Sequence, residues 1–226
     1  MRLPRHDTAL TLSAEQPREA LAHDEALLVD GVRAMRWYTV TAPAIVLGLA
    51  LHHRAAEVVD YDRCRARGVE VLHRSAGGGA VLLDDGMLCC TVCLPLPDDR
   101  VSQDLTESYR WLGDYFARRV SGRRVEVAEA RADTASVGPG LLRDTCYGVL
   151  SPHEVVNSDG AKIVGLAQVR RRYAALFQVG ILLRDQSPLA DLLRVSDEPT
   201  REALRTALRR RSAPVSVGLI QPEQFL

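Results

Sequence analysis

The sequence predicts an α+β fold in which mixed and antiparallel sheets are flanked by helices. Apolar stretches of strand length alternate with helical patterns along the chain. Several of these strands come in pairs that short turns connect, as in hairpins. The chain has 226 residues, enough to bury a core without disulfides or a metal. The hairpin-like pairs make a purely parallel sheet a poorer fit.

The first predicted element is a helix over about residues 17–29. Pro17 lies in its first turn and Gly31 follows its end, which is the usual placement of these two residues around a helix. The elements expected next are two extended segments (36–38 and 44–49), a short helix (61–67) and a strand (69–73).

The middle of the chain contains the loop "RSAGGGA" and an apolar stretch over 81–94 that we expect to form one strand. Apolar residues then recur at helical spacing behind a Ser102 cap. These residues are Leu105, Tyr109, Leu112 and Phe116.

The second half begins with a predicted strand, "RRVEVAEA" (123–130). Asp159 and Gly160 then separate two β-prone runs, which predicts a hairpin over 153–169. A strand at 175–183 and two helices near 188–194 and 200–211, within 187–212, precede the C-terminal tail.

Composition limits the classes of function. Acidic and basic residues balance at 29 each, which argues against a general nucleic-acid binder. The N-terminus lacks the apolar core of a signal peptide. The longest apolar run, 42–51, is shorter than the ~20 residues that span a bilayer. We therefore expect a cytoplasmic protein with no membrane partner and with reduced cysteines.

Three cysteines cluster in "MLCCTVCLP", where Cys90 and Cys93 have the spacing of metal or redox motifs. On a strand these two side chains point to opposite faces, and no second pair completes a tetrahedral zinc site. We expect small core residues and no metal site here. Cys64 is expected to be an ordinary helix residue.

The three consecutive glycines Gly77, Gly78 and Gly79 connect two predicted strands. Glycine permits positive φ and a close approach of the backbone to a ligand. Free N–H groups in such a loop bind an oxyanion, a carboxylate or a phosphate. A flexible turn is the alternative. The segment matches neither a Walker loop nor a dinucleotide fingerprint, because no Gly-Lys-Ser/Thr follows and it enters a strand.

Lys162 is the only lysine among 29 basic residues. A solvated hairpin residue is one interpretation, but arginine serves elsewhere in this chain wherever a surface charge is needed. A compact ammonium donates to one small oxygen site in a confined pocket, which a guanidinium fork does not. We therefore expect a functional role for Lys162.

Cys146 lies in the polar segment "RDTCYGVLSPHEV", just before the hairpin, and is expected to be more accessible than the strand cysteines. Beside Lys162 it is a candidate nucleophile, because a nearby ammonium favours the thiolate. His153 and His73 are alternative bases or ordinary hydrogen-bonded histidines. The run "TREALRTALRRR" is either a docking site for an acidic partner or a solvated helix face.

Together these segments resemble the lipoate–protein ligase and octanoyltransferase family, which shares its catalytic domain with biotin–protein ligases. The resemblance covers about 20–183 and includes "ALAHDEALL", "RWYTVTAPAIVLG", "RSAGGGAVLLDDG", "KIVGLAQ" and "FQVGILL". It implies one catalytic domain over 1–226. It also implies that Lys162 is the family's lysine, with small residues beside the acyl chain at Gly165 and Ala167. The acyl-binding loop corresponds to Arg74, Gly77, Gly78, Gly79 and Ala80.

The branches of this family differ in chemistry. Transferases move an octanoyl or lipoyl group from a carrier through a cysteine thioester and need no cofactor. Ligases activate free lipoate with ATP and Mg²⁺ through an acyl-adenylate. Cys146 stands where one transferase branch has its nucleophile, and Leu83 lies where ligases usually show a Tyr-His-Asp sequence. The resemblance therefore favours the transferase, with the ligase and a non-catalytic acyl or carrier binding module as alternatives.

The expected donor is an octanoylated acyl carrier protein or a carrier of the glycine cleavage H type. The expected acceptor is a lipoyl domain of a 2-oxoacid dehydrogenase or an H-type carrier. The chain departs from the family pattern in two further places. Ala76 replaces a serine before the glycines, and Val179 replaces a histidine in the later strand.

Overall fold

The computed structural model describes residues 12–120, 125–128 and 141–215. Its helices are α1 (Pro17–Asp30), α2 (Ala55–Val58), α3 (Tyr61–Ala66), α4 (Arg110–Arg119) and α5 (Glu198–Arg211). Its strands are β1 (Leu12–Glu15), β2 (Ala34–Val40), β3 (Ala44–Leu47), β4 (Glu70–His73), β5 (Ala80–Leu83), β6 (Met87–Pro95), β7 (Val125–Val127), β8 (Val155–Asn157), β9 (Lys162–Arg170) and β10 (Ala174–Leu182). Short 3₁₀ helices cover Leu49–Arg54, Glu107–Tyr109 and Ser187–Asp191.

The strands form two sheets, and both are mixed. The larger sheet has the order β1-β2-β6-β10-β9-β8-β7, with β1 and β2 parallel and the other neighbours antiparallel. The smaller sheet has the order β4-β3-β5, with β3 parallel to β4 and antiparallel to β5. This arrangement confirms the predicted α+β fold of mixed sheets and helices.

The apolar stretch 81–94 is two strands rather than the one that we expected. β5 belongs to the small sheet and β6 to the large sheet. Between them, the Asp84 carboxylate accepts a hydrogen bond from Gly86 N at 2.8 Å, and Asp84 O accepts one from Met87 N at 3.1 Å. Aspartate closes a turn in this way, so the chain passes from one sheet to the other here.

The predicted hairpin is confirmed as β8 and β9. The Asn157 side-chain oxygen accepts hydrogen bonds from Asp159 N at 3.0 Å and Ala161 N at 2.9 Å. Gly160 has φ +76°, a conformation that favours glycine. The turn therefore fixes the register of β9, whose first residue is Lys162.

The helix expected behind Ser102 begins later. Asp104 forms a turn ahead of the helix, because its side-chain oxygen accepts hydrogen bonds from Thr106 N at 2.7 Å and Glu107 N at 3.1 Å. α4 then starts at Arg110, and Leu105 is exposed instead of lying on the helix stripe.

The predicted helix near 188–194 is the 3₁₀ helix that covers Ser187–Asp191, whereas the last predicted helix is confirmed as α5. Of the predicted strand at 123–130, β7 covers 125–127, and 123–124 and 129–130 lie outside the described residues.

Each face of the large sheet has its own core. On one face, α4 packs Phe116 against Trp37, with their ring centroids 5.9 Å apart. On the other face, Tyr38 and Leu182 of the large sheet pack with Val46 and Leu83 of the small sheet. The space between the two sheets therefore has apolar walls, and Arg74, which precedes the glycine loop, lines it.

Within 12–120, 125–128 and 141–215, the helices are all too short or too polar to cross a membrane.

Candidate active site

Cys146 lies on a cleft between the two sheets. The cleft has an empty volume of about 480 Å³, and its open mouth is part of that volume. Its wall is mainly apolar and includes Val46, Val81, Leu83, Met87, Leu166 and Val179. Arg74 and Gln178 supply its charged and amide groups. A mainly apolar cleft with a few placed polar groups suits an acyl chain that carries a reactive carbonyl at one end.

The segment of Cys146 is attached to the first residue of β5. Cys146 N donates to Ala80 O at 2.8 Å, and Ala80 N donates to Asp144 O at 2.7 Å. Cys146 is 9% exposed, against 5% for Cys89 and 0% for Cys90 and Cys93, so it is more accessible than the strand cysteines, as predicted. Its exposed face belongs to the cleft, because Cys146 is one of the lining residues.

The glycine loop is closely packed at Gly79 and against Gly48, which a flexible turn would not be. A Cβ on Gly79 would lie 2.7 Å from Asp144 O, and a Cβ on Gly48 would lie 2.0 Å from Gly78 O. Gly78 has φ +101°, and a Cβ there would lie 2.8 Å from Arg74 Nη2 and 4.0 Å from Cys146 Sγ. Gly79 is therefore required by a close backbone approach and Gly78 by its positive φ, whereas a Cβ on Gly77 would meet nothing within 4 Å.

Two N–H groups of the glycine loop already donate hydrogen bonds within the protein. Gly77 N donates to Gln168 O at 3.3 Å, and Ala80 N donates to Asp144 O. For the N–H groups of Gly78 and Gly79, the described part of the chain holds no backbone acceptor. These two groups remain available to an oxyanion next to Cys146.

Arg74 places a guanidinium beside this loop. Its Nη2 donates to Gly77 O at 2.9 Å. Its Nε is buried and has no hydrogen-bond partner among the described residues, where no carboxylate forms an ion pair with Arg74 either. An arginine charge with no carboxylate partner at the mouth of a cleft attracts a developing negative charge.

Lys162 is buried, which rules out the solvated hairpin interpretation. Its side chain is 2% exposed, and Nζ lies 2.6 Å from Glu154 Oε2. Nζ also donates to Cys146 O at 2.7 Å. The structure therefore brings Lys162 to Cys146 through the backbone carbonyl. Because Glu154 compensates the ammonium charge in this arrangement, the expected ion pair between Lys162 and a Cys146 thiolate stays a prediction.

Glu154 is the residue that sequence reasoning missed. Its carboxylate is buried and accepts hydrogen bonds from Ser151 N at 2.7 Å and Leu166 N at 3.2 Å, in addition to the Lys162 ammonium. A buried carboxylate requires such partners. The available signal was weak, since one glutamate eight residues before the only lysine is an ordinary feature of a sequence.

Gly165 and Ala167 both line the cleft, where the resemblance placed them. Gly165 also makes room for an aromatic ring, because a Cβ there would lie 3.0 Å from Tyr147 Cζ. The Tyr147 hydroxyl donates to Gly180 O at 2.7 Å. Gly165 and Gly180 are cross-strand partners in β9 and β10. Because neither glycine has a side chain, the Tyr147 ring packs directly against the sheet at these two positions. The same two glycines line the cleft.

The two histidines considered as bases do not line this cleft. His153 has φ +70°, and its Nε2 lies 3.4 Å from Glu107 Oε1. His73 packs edge-on against His52, with ring centroids 4.6 Å apart. Desolvation, and then the nearby His52, lower the pKa of His73. Each histidine thus has structural contacts away from the thiol.

The strand cysteines are free and buried, as expected for core residues. Burial raises the pKa of Cys89 to about 12 and that of Cys93 to about 11, so both remain thiols at neutral pH. Cys64 lies in α3, as predicted. Within the described ranges, no cluster of His, Cys, Asp and Glu has the composition of a metal site.

The three residues that depart from the family pattern are apolar, and they lie in or near the cleft. Leu83 and Val179 line the cleft. Ala76 is buried in a cluster with Leu176 and Ala167. All three substitutions therefore add apolar surface in or near the cleft.

Comparisons with known proteins agree on one group. A family model described as "Lipoyl protein ligase A/B catalytic domain" matches residues 16–218. The octanoyltransferase LipM of Carboxydothermus hydrogenoformans is 29% identical over 205 residues, which are 87% of this chain and 72% of that protein. The octanoyl-[GcvH]:protein N-octanoyltransferase of Lysinibacillus sphaericus is 27% identical over 180 residues, which are 77% of this chain and 59% of that protein.

A solved structure has the same architecture. It is the bipartite lipoate protein ligase of Thermoplasma acidophilum, from a structural analysis that also treats its E2 lipoyl domain. The match has a TM-score of 0.70 and 25% identity, and it covers 94% of this chain and 76% of that chain.

Proposed function

Because the chain belongs to the family of lipoyl protein ligase A/B catalytic domains, we propose that it transfers an octanoyl group through a thioester on Cys146. The comparisons confirm the predicted family and the predicted kind of enzyme, an acyltransferase. The observation that carries the cysteine route is the position of Cys146. Its thiol lies on an apolar cleft, next to Arg74 and two glycine N–H groups that remain available.

In the first half-reaction, the Cys146 thiolate attacks the carbonyl carbon of an octanoyl thioester on a carrier. A bond forms between Sγ and this carbon, and the carbonyl oxygen becomes an oxyanion. The tetrahedral intermediate collapses when the bond to the carrier sulfur breaks. The carrier thiolate then takes up a proton, which balances the one that Cys146 lost.

The N–H groups of Gly78 and Gly79 and the Arg74 guanidinium stabilise this oxyanion. All three groups lie at the loop that faces Cys146 Sγ. Fixed donors aimed at a developing charge lower the barrier because they need no reorganisation during the reaction. This scheme assigns the stabilising charge to Arg74 and not to Lys162, whose ammonium is already paired with Glu154.

Lys162 acts as a positioning residue in this scheme. Its ammonium holds Cys146 O at 2.7 Å and Glu154 at 2.6 Å, so it fixes the backbone of the nucleophile against β9. A small displacement of a nucleophile is costly, and a 1 Å misplacement reduces the rate about 100-fold.

In the second half-reaction, the amine of an acceptor lysine attacks the acyl-enzyme. An amide bond forms, the bond between the acyl carbon and Sγ breaks, and the proton released by the amine returns to the thiolate. Each methylene that the cleft buries contributes ~0.8 kcal/mol. An eight-carbon chain is therefore selected over short acyl groups. This route needs no cofactor.

We propose an octanoylated carrier protein as donor and a lipoyl domain as acceptor. Two relatives support carriers of this class, because one acts on octanoyl-[GcvH] and another was studied with an E2 lipoyl domain. The donor is an acyl carrier protein, whose octanoyl group is the thioester of the step above, or an H-type carrier. An H-type carrier holds the group as an amide on a lysine, so the bond to that nitrogen breaks instead and the lysine amine takes up the proton. The acceptor is a lipoyl domain of a 2-oxoacid dehydrogenase or an H-type carrier.

The test is the intact mass of the protein after mixing with octanoylated carrier in the absence of ATP. We expect a mass increase of one octanoyl group, which Cys146→Ala abolishes. Cys89→Ala is the matched control, since Cys89 is a buried free thiol on the same cleft. It should keep the adduct.

No adduct, together with lipoate-dependent ATP–pyrophosphate exchange, would instead establish an ATP- and Mg²⁺-dependent ligase. Saturable carrier binding without either activity would indicate a binding module.

A further inference from the structure

The acyl cleft runs along the strands of the large sheet. Cross-strand pairs of β9 and β10 line it at a spacing of two residues, as one face of a sheet requires. The lining pairs are Gln178 with Ala167 and Gly180 with Gly165. Met87 lies one layer further on, because its cross-strand partner is Leu182. Leu182 is fully buried and, among the described residues, is not part of the lining. The cleft therefore ends at the level of Met87.

The small sheet places the same end of the cleft at Leu83. Cys146 N donates to Ala80 O at 2.8 Å, so the segment of the thiol lies at the first residue of β5. Val81 and Leu83 line the cleft from this strand, and Leu83 is its last residue. Three residues connect Leu83 with Met87, which begins β6 in the other sheet, and the two side chains share one buried cluster. The two sheets therefore converge here and close the cleft.

The distance from the thiol segment to this closed end fits an octanoyl chain. Ala80 and Leu83 are three residues apart on β5, which corresponds to about 10 Å along a strand. An extended octanoyl group follows a zigzag path of seven C–C bonds, and at ~1.5 Å per bond it spans about 9 Å. The terminal methyl group of an octanoyl chain on Cys146 therefore reaches the level of Leu83 and Met87.

A chain directed the other way would meet charged groups. On the side of Arg74 and Gln178 the cleft adjoins a second cavity, whose wall includes Arg18, Asp24 and Glu25. Methylene groups gain free energy where they are buried against apolar surface. The acyl chain therefore follows the apolar wall toward the closed end of the cleft.

The Met87 side chain lies across this closed end. Its cross-strand partner is Leu182, yet its sulfur reaches the diagonal neighbour Gly180, where an added Cβ would lie 2.9 Å from Met87 Sδ. Diagonal neighbours in a sheet are within reach of long side chains. Methionine is unbranched and fills irregular gaps of this kind. The space that Gly180 leaves free is therefore occupied by the thioether at the end of the acyl chain.

We propose that Met87 determines the length of the acyl chain that the protein accepts, because its thioether closes the cleft at the end of an octanoyl group. The inference rests on the proposed function, in which the acyl carbonyl lies at Cys146. Met87→Ala removes every side-chain atom beyond Cβ and leaves room for about two further methylene groups. A larger and more rigid side chain at this position has the opposite effect.

A series of N-acetylcysteamine thioesters tests the proposal. The hexanoyl, octanoyl, decanoyl and dodecanoyl donors have the same leaving group, so their rate constants for acylation of Cys146 differ only through the acyl chain. Intact mass recorded over time gives these rate constants. We expect the wild-type protein to react fastest with the octanoyl donor and at least tenfold more slowly with the dodecanoyl donor.

Met87→Ala should move the optimum to the decanoyl donor. We expect the ratio of the decanoyl to the octanoyl rate constant to rise at least tenfold, because each additional buried methylene group contributes about fourfold. Met87→Phe should move the optimum to the hexanoyl donor. Leu88→Ala is the matched control, since Leu88 is the next residue of β6 and packs on the opposite face of the sheet. It should leave the optimum at the octanoyl donor.

An unchanged octanoyl optimum in both Met87 variants would overturn the proposal. Equal rate constants for the octanoyl and dodecanoyl donors with the wild-type protein would overturn it even if neither variant folds. A shift in Leu88→Ala as large as that in Met87→Ala would also overturn it, because loosened packing would then explain both. These failures are distinguishable from failure of the proposed function, since Cys146 would still be acylated. If no donor acylates Cys146, the proposed function falls and this inference falls with it.

Discussion

Lys162 and Glu154 form a buried ion pair, with Nζ and Oε2 2.6 Å apart and both side chains less than 5% exposed. The same ammonium binds the carbonyl of Cys146 at 2.7 Å. The pair therefore joins β9 to the segment that carries the candidate nucleophile. Its predicted consequences concern stability and activity separately.

Glu154→Gln should destabilise the fold strongly. It leaves the Lys162 ammonium buried without a counter-charge, and breaking a buried pair on one side costs about 3–5 kcal/mol. Urea unfolding measures the free energy. The control is Glu57→Gln, which removes an exposed partner of Arg54 and should cost at most about 1 kcal/mol. Equal losses in the two variants would contradict the account.

Removal of both charges should be less harmful than removal of one. In Lys162→Met with Glu154→Gln, neither buried charge is left uncompensated, so the double variant should be more stable than Glu154→Gln alone. The coupling free energy from the double-mutant cycle checks this. Strictly additive losses would show that the two side chains do not interact as the structure indicates.

Lys162→Arg should fold but lose activity. The charge is kept, but the larger planar guanidinium does not fit the position between Glu154 and the Cys146 carbonyl. Displacement of the nucleophile by about 1 Å predicts a loss of about 100-fold in kcat, with little change in KM for the carrier. Arg170→Lys on the same strand is the control for exchange of the two cations. Full turnover by Lys162→Arg would refute the positioning role.

Gly180→Ala should destabilise the protein because the added methyl group has no space. Its Cβ would lie 2.7 Å from the Tyr147 hydroxyl oxygen and 2.9 Å from Met87 Sδ. Overpacking of this kind costs about 1–3 kcal/mol. Tyr147→Phe removes the nearer atom, so adding it to Gly180→Ala should recover part of the loss. Thermal unfolding of the three variants decides this, and no recovery would argue against the contact.

Asp98 predicts a pH-dependent term in stability. Hydrogen bonds from the Arg100 side chain, which outweigh desolvation, lower the pKa of Asp98 well below its usual range. A carboxyl group with a lower pKa in the folded state stabilises the fold above the unfolded pKa of ~3.9, and this stabilisation is lost as the pH falls below that value.

Asp98→Asn should therefore reduce the free energy of unfolding at pH 6 and weaken its decline between pH 6 and pH 3. Asp62→Asn removes an exposed partner of Arg65 and is the control. A pH profile identical to that of the wild type would contradict the role of Asp98.

The sequence predicted the parts of the fold that local chemistry determines. Pro17 and Gly31 mark the ends of α1 because each has a backbone preference that needs no tertiary context. Asp159 and Gly160 predicted the hairpin for the same reason. The division of 81–94 into two strands of different sheets was missed, because both halves are apolar and only the tertiary fold separates them.

The candidate site was predictable to the extent that its residues are unusual. The single lysine and the three glycines stand out in the sequence, and the structure brings both to Cys146. Glu154 does not stand out. Its role arises from burial and from its contact with Lys162, which a linear pattern does not contain.

The most direct test of the account is a single-turnover chase with labelled octanoyl carrier. The acyl-enzyme is isolated, a lipoyl domain is added, and the label is followed by peptide mass spectrometry. We predict that the label first occupies the peptide containing Cys146. It then moves to the acceptor lysine at least as fast as overall turnover. Label that stays on the enzyme while the acceptor is octanoylated directly from the carrier would contradict the covalent route.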